Sequence, residues 1–199
     1  MEFRDVVRRR RMVRRFDQRA VPRDLLDAVL DSARHAPSAG FSQGMALVGL
    51  DEPAQVRRFW DLTTRSGSAR VDEVRAATPP VIVLPLSHKQ AYLDRYAEPD
   101  KAGTGLDAQE RWPVPYWDLD LAMAVMLMLL TAVDHGLGGW FFGVFHGERE
   151  LLRDLGVPSA YRPIGALGLG YPAPGEQPIG SVRSRPRRPL EDIVHRGRW

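Results

Sequence analysis

Cysteine is absent from all 199 residues, which excludes a disulfide, a thiolate zinc site, an iron–sulfur cluster and a cysteine nucleophile. The missing thiols neither require nor exclude a reducing compartment. Lysine is nearly absent too, since arginine supplies 26 of the 28 cationic side chains. The longest apolar run, Leu119 to Val133, falls short of a membrane span and contains Asp120, and residues 1–15 lack the apolar core of a secretory signal. A cytoplasmic protein with no membrane partner is the expectation. Hydrophobic residues make up 44% and charged residues 27%, an ordinary globular composition that excludes general disorder and collagen-like repetition. No internal repeat or linker interrupts the chain, so one domain over residues 1–199 is expected.

The formal net charge of +3 conceals an uneven distribution. Residues 1–19 carry eight arginines against Glu2, Asp5 and Asp17, and residues 183–199 carry six against Glu191 and Asp192. Between them 14 cations face 20 acids, a net of −6. Positive potential is thus concentrated at two ends remote in sequence, which fits an anionic partner or a solvated basic face. A nucleic-acid binder has the same footprint, although aromatic residues are not interleaved with either cluster.

Hydrophobic spacing orders the chain. A short helix is read over Glu2 to Arg11 and an extended segment over Met12 to Phe16. Pro22 suits a first helical position, and Leu25, Leu26, Val29, Leu30 and Ala33 recur at helical spacing. A small-residue loop, Ala36 to Gly44, leads into a strand, Met45 to Leu50, and helix returns over Pro53 to Leu62. Val81 to Leu86 reads as a buried central strand with Pro85 at its end. Residues 96–115 have no periodicity and suggest a lid or a cover supplied to a neighbour. Asp118 to His135 is a helix apolar nearly all round, which must be buried, either inside the chain or against a second copy. Gly136 to Gly143 terminates it, and a helix over Glu148 to Leu155 and a strand over Ala166 to Leu169 precede an arginine- and proline-rich tail.

Familiar catalytic patterns fail. His35, His88, His135, His146 and His195 show no metal-ligand spacing, so no metal is expected. Gly168, Gly170 and Ala173 imitate a dinucleotide fingerprint, but Pro172 and Pro174 follow where a helix should begin. Neither a nucleophile elbow nor a Walker loop occurs.

Four segments together resemble the nitroreductase family of FMN-dependent oxidoreductases: Arg10-Arg11-Met12-Val13-Arg14-Arg15-Phe16, the loop Ala36 to Gly44 (APSAGFSQG), the turn Gly136 to Gly143 (GLGGWFFG), and Leu169-Gly170-Tyr171-Pro172 with Arg185, Arg187, Pro189 and Leu190. The resemblance implies an α+β fold: a mostly antiparallel central sheet flanked by helices, a long central helix at a homodimer interface and an extended C-terminal tail. It implies FMN as cofactor and NAD(P)H as donor, with hydride passing through flavin N5 to a nitroaromatic, quinone or related acceptor. Carried onto this sequence, Arg10, Arg11, Arg14, Arg185 and Arg187 hold the phosphate, with Met12 contributing backbone. Arginine's planar fork suits that dianion and would account for the charge at both ends. Trp140 and Phe141 lie along one face of the ring, a backbone N–H near Phe142 or Gly143 faces N5, and Pro37, Ser38 and Ala39 come from the other subunit. Phe41, Trp112 and Tyr116 border the acceptor.

Four positions depart from the family pattern. Met12 stands where serine is usual, Phe41 where asparagine is, Gly44 where proline is, and Met45 where tryptophan is common. They leave open a specialised acceptor, as in relatives that act on flavin itself or on halogenated aromatics. A non-enzymatic arginine-rich nucleic-acid-binding protein is the rival from another class.

Overall fold

In a computed structural model that describes residues 1–64 and 78–199, the core is an antiparallel sheet covered on both faces. Its strands are β1 (Met45–Leu50), β2 (Val81–Ser87), β3 (Gly138–Phe142), β4 (Arg162–Pro163) and β5 (Ala166–Gly170). They run in the order β1-β2-β5-β3, with β4 also paired to β2. The helices are α1 (Phe3–Arg9), α2 (Arg23–Ser32), α3 (Pro53–Thr63), α4 (Lys89–Tyr96), α5 (Tyr116–Asp134), α6 (Glu148–Asp154) and α7 (Ser181–Ser184).

Strand alternation sends the apolar residues to two cores. Val81 and Val83 of β2 with Leu167 and Leu169 of β5 face a cluster built from Leu26 and Val29 of α2 and Leu121, Val125 and Met128 of α5. Ile82, Leu84 and Leu86 point the other way, onto Val56, Phe59 and Trp60 of α3 and Leu151 of α6. Each fully buried side chain of this kind contributes about 1.5–3 kcal/mol by leaving water. A third cluster joins Tyr92, Trp112 and Trp117 at the start of α5.

Pro85 lies inside β2, opposite Leu47, and not at its end as the sequence implied. Its carbonyl accepts a hydrogen bond from the Ile164 N–H at 3.3 Å, so the side of the strand that lacks an N–H faces the break between β4 and β5. The missing donor therefore costs no ladder bond. A second difference is α4, which sequence periodicity did not reveal because only Tyr92 on it is buried.

Helix α5 is not buried all round. Its 19 residues suffice in length and composition to cross a bilayer, exceeding the apolar run read from sequence, yet one side packs on α2 and the sheet. Leu119, Met123 and Met126 remain 45%, 41% and 45% exposed, a stripe at helical spacing. The helix ends as the glycine-rich turn demands: Gly136 takes φ 75°, its N–H bonds to the Val133 carbonyl at 3.0 Å, and the Leu137 N–H bonds to that of Ala132 at 2.8 Å.

Candidate functional site

Extended backbone brings three of the four segments together. Met12 bridges to Gly139 in parallel, with the Val13 N–H donating to the Gly139 carbonyl at 3.0 Å. Phe16 bridges to Pro172, the Asp17 N–H reaches the Tyr171 carbonyl at 2.9 Å, and the Ala173 N–H reaches that of Arg15 at 3.0 Å. Val13 and Phe16 are buried, whereas Arg14 is half-buried and Arg15 is exposed. The first, third and fourth segments thus meet along the free edge of β3.

The arginines at this edge are unlike one another. Arg11 forms an ion pair with Glu176, whose side chain is only 2% exposed, and donates a second bond to the Glu176 carbonyl at 3.2 Å. The other carboxylate oxygen accepts the Arg14 N–H at 3.2 Å. Within the chain the Arg11 guanidinium is thus paired with a buried acid, and freeing it would strand that charge. Arg14 reaches the Ile179 carbonyl at a long 3.5 Å, while Arg10, Arg185 and Arg187 have no side-chain hydrogen bond or ion pair among the described residues. The tail is brought to the first segment at residues 173–179, but nothing joins Arg185 or Arg187 to Arg10 within the chain.

Trp140 and Phe141 do not share a face. Successive residues of β3 point to opposite sides of the sheet, so Trp140 and Phe142 stack with Trp60, at centroid distances of 6.3 and 5.5 Å. Phe141 turns towards the α5 core. Only Phe141 is therefore on the side that α5 and the basic segment share, and Gly143 follows it into an exposed position.

The second segment, Ala36 to Gly44, is a strained loop. Gly40, Phe41 and Gln43 have φ of 61°, 56° and 50°, a left-handed region that costs residues with a Cβ. Several bonds hold it. The Ala39 N–H donates to Asp120 Oδ2 at 2.8 Å, the Tyr92 hydroxyl donates to the same oxygen at 2.8 Å, and the Gln43 N–H donates to Ser38 Oγ at 2.8 Å. From the outside, Arg95 donates to the Gly40 carbonyl at 2.8 Å. Burial raises the Tyr92 phenol above its ordinary 10.0, and its bond to Asp120 adds to the effect. A cavity under the loop is lined by Pro37, Ser38, Gln43, Tyr92 and Asp120.

Phe41 projects outward, 72% exposed, as a contact for something beyond its own chain should. Tyr116 is also exposed. Trp112 is not: it is buried among Tyr92, Tyr96 and Trp117, and its indole N–H donates to the Leu106 carbonyl at 2.7 Å. The stretch 96–115 is accordingly packed through Trp112.

The loop and the turn that leads into β3 stand at opposite ends of α5. Asp120, under the loop, precedes Gly136 by 16 residues, about 24 Å along the axis at 1.5 Å per residue.

Residues 7–171 match the model of the nitroreductase family. The chain belongs to the nitroreductase family. A Thermus thermophilus protein named NADH dehydrogenase is 30% identical over 204 residues, covering 94% of this chain and 91% of that protein. A Staphylococcus aureus NADPH-dependent oxidoreductase is 22% identical, covering 98% and 73%. Among solved structures, a nitroreductase family protein from Clostridium difficile superposes with a TM-score of 0.71 at 22% identity, each chain fully covered. B. megaterium NfrA2 gives 0.75 at 18% identity, covering all of this chain and 75% of that one. The nitroreductase-like α+β fold is thereby established.

Within this nitroreductase fold, three residues that the sequence did not single out organise the site: Glu176, Asp120 and Tyr92. Asp120 carried a signal, being an acid inside an apolar helix; Glu176 and Tyr92 carried none, since only the fold shows them to be buried.

Proposed function

We propose that this chain is an FMN-dependent NAD(P)H oxidoreductase acting as a cytoplasmic homodimer on a nitroaromatic, quinone or related aromatic acceptor. The observation that supports this reading most is the separation of the 36–44 loop from the β3 edge, with an exposed apolar stripe on α5 between them. A second copy, packed antiparallel on Leu119, Met123 and Met126, would carry its loop towards this chain's β3, giving two equivalent sites.

The residues present fit FMN. Arg10, Arg14 and the tail's Arg185 and Arg187 supply uncommitted or weakly held guanidinium groups for the phosphate, Met12 supplies backbone, and Arg11 acts indirectly by fixing the segment on Glu176. Phe141 and the partner's Pro37, Ser38 and Ala39 offer apolar and backbone cover for the ring, and the backbone at Phe142 and Gly143 offers a donor near its reactive edge. Phe41 and Tyr116 border the acceptor. FMN, when bound, supplies hydride acceptance at N5 and delivery to the acceptor; the protein positions the reactants and keeps water away. The names of the relatives support both nicotinamide donors.

Apoprotein titrated with FMN and with riboflavin tests this assignment. Arg10→Ala or Arg187→Ala removes a charge-assisted contact worth roughly 1.5–3 kcal/mol, so FMN affinity should fall about ten- to more than a hundredfold. Riboflavin, which has no phosphate, should bind each variant as it binds the wild type. Lysine at either position should restore part of the loss. Arg149, exposed on α6, is the control. Unchanged FMN affinity in both alanine variants would overturn the phosphate assignment; salt-sensitive DNA or RNA binding by a colourless protein would favour the nucleic-acid reading.

A further inference from the structure

We infer that Asp120 is a positioning residue whose carboxylate, together with the Tyr92 hydroxyl, holds the strained 38–43 loop in the shape that covers the cofactor's ring end. The inference rests on the FMN reading above for what the loop does, but not for what holds it.

Three left-handed residues in four, two of them with a Cβ, do not persist unless their surroundings over-determine them. The local bonds are short-range: the Phe41 N–H reaches the Ser38 carbonyl at 2.8 Å, and the Ser42 N–H and hydroxyl reach that of Ala39 at 3.1 and 2.6 Å. They close the turn on itself without fixing it to the molecule. Two long-range bonds do that from opposite sides, Ala39 N–H to Asp120 and Arg95 to the Gly40 carbonyl, across 81 and 55 residues of sequence. Arg95 lies part-exposed on α4 and shares itself with Glu98 and Asp100. Asp120 is buried on the most extensively packed helix, and one oxygen of its carboxylate accepts both the loop N–H and the Tyr92 hydroxyl. The same Tyr92 oxygen lies 3.4 Å from Ser38 Oγ, which takes the Gln43 N–H. One carboxylate oxygen thus organises both ends of the loop, directly at Ala39 and through two hydroxyls at Gln43.

A buried acid on the packed side of a largely apolar helix is costly unless it is hydrogen-bonded, and here its two partners both belong to this device. Since both bonds converge on a single oxygen, an amide oxygen can accept them equally, whereas an isosteric hydrocarbon cannot. Asp120→Asn should therefore preserve the loop and Asp120→Leu should release it.

The test reads the loop and the cofactor separately. Hydrogen–deuterium exchange of apoprotein peptides spanning 37–44 should accelerate more than tenfold in Asp120→Leu, by a smaller factor in Tyr92→Phe, and by less than threefold in Asp120→Asn, with the α5 peptides unchanged. Riboflavin and FMN affinities should fall by the same factor, about tenfold or more, in Asp120→Leu, because the loop acts at the ring and not at the phosphate; Arg187→Ala affects FMN alone. Should Asp120→Leu fail to fold, Tyr92→Phe carries the same measurements. Unchanged exchange at 37–44 in the folded variants would overturn the anchor. Faster exchange with wild-type flavin affinity would overturn the role of the loop shape. Failure of the wild type to bind any flavin would sink the FMN assignment while the exchange data still decide the anchor.

Discussion

Phe41 is the residue whose conformation is least compatible with its side chain. A phenylalanine at φ 56° is uncommon, asparagine tolerates that region well, and in this position the ring gains no packing from its own chain. Phe41→Asn should leave thermal stability unchanged or raise it, by up to about 1 kcal/mol, while altering the relative kcat/KM for aromatic and quinone acceptors. A loss of stability measured by urea or thermal unfolding would show that the ring packs against the rest of the molecule after all. Gly44 has the opposite logic. A Cβ there would sit 2.7 Å from the His88 carbonyl oxygen and 2.6 Å from the Tyr92 ring, so the glycine at this departure from the family pattern is explained by a close approach of α4. Gly44→Ala should cost on the order of 1–3 kcal/mol, read as a lower urea midpoint.

Tyr92 connects the residue scale to pH. Its phenol is raised by burial above 10.0, so the folded chain holds the proton more tightly than the unfolded one. The corresponding stability is complete below pH 10 and declines as pH rises above it, when unfolding releases a proton that folding retained. Thermal midpoints measured from pH 8 to 11 should fall more steeply for wild type than for Tyr92→Phe. Parallel curves would show that another group governs alkaline unfolding.

Among the elements, α5 carries the proposed interface. Its buried side was legible in the sequence, because leucine, methionine and alanine on every face leave no polar surface, but the sequence could not say which stripe the chain leaves for another molecule. In the structure the exposed apolar stripe is Leu119, Met123 and Met126. Met126→Glu should give monomeric or insoluble protein, since pairing two such helices would desolvate an unpaired carboxylate at a cost of several kcal/mol. Analytical ultracentrifugation checks it; a Met126→Glu dimer as tight as wild type would place the interface elsewhere. Strands Met45 to Leu50 and Val81 to Leu86 were legible from β-branched and apolar runs, as was the glycine stop after α5. Helix α4 was not, because one buried tyrosine makes no periodic pattern, and neither were the opposite faces of Trp140 and Phe141 until β3 was known to be a strand.

For the whole molecule, stability and concentration should be coupled. If dimerisation completes the site, ligand and partner both bind only the folded form, and the midpoint of thermal unfolding should rise with protein concentration and again with added FMN. A concentration-independent midpoint between micromolar and tens of micromolar would argue for a stable monomer. The four segments were recognisable because their residue types and spacing are distinctive in the sequence itself. Their arrangement was not, since the bridges that join them, Met12 to Gly139 and Phe16 to Pro172, link residues more than 120 positions apart.

The Arg11–Glu176 pair also has a bearing on how the protein is made. The two residues lie 165 positions apart, and the bridge between Phe16 and Pro172 spans nearly as much. At about 5–20 residues per second, a ribosome that has released Arg11 takes roughly 8 s or more to deliver its acid. Until Gly139 is made that basic segment has no strand edge to lie on, and until Glu176 is made Arg11 has no buried acid to pair with, so the segment is synthesised well before the contacts that hold it. Pulsed protease digestion of stalled nascent chains should find residues 10–16 cleavable until residue 176 has cleared the exit tunnel.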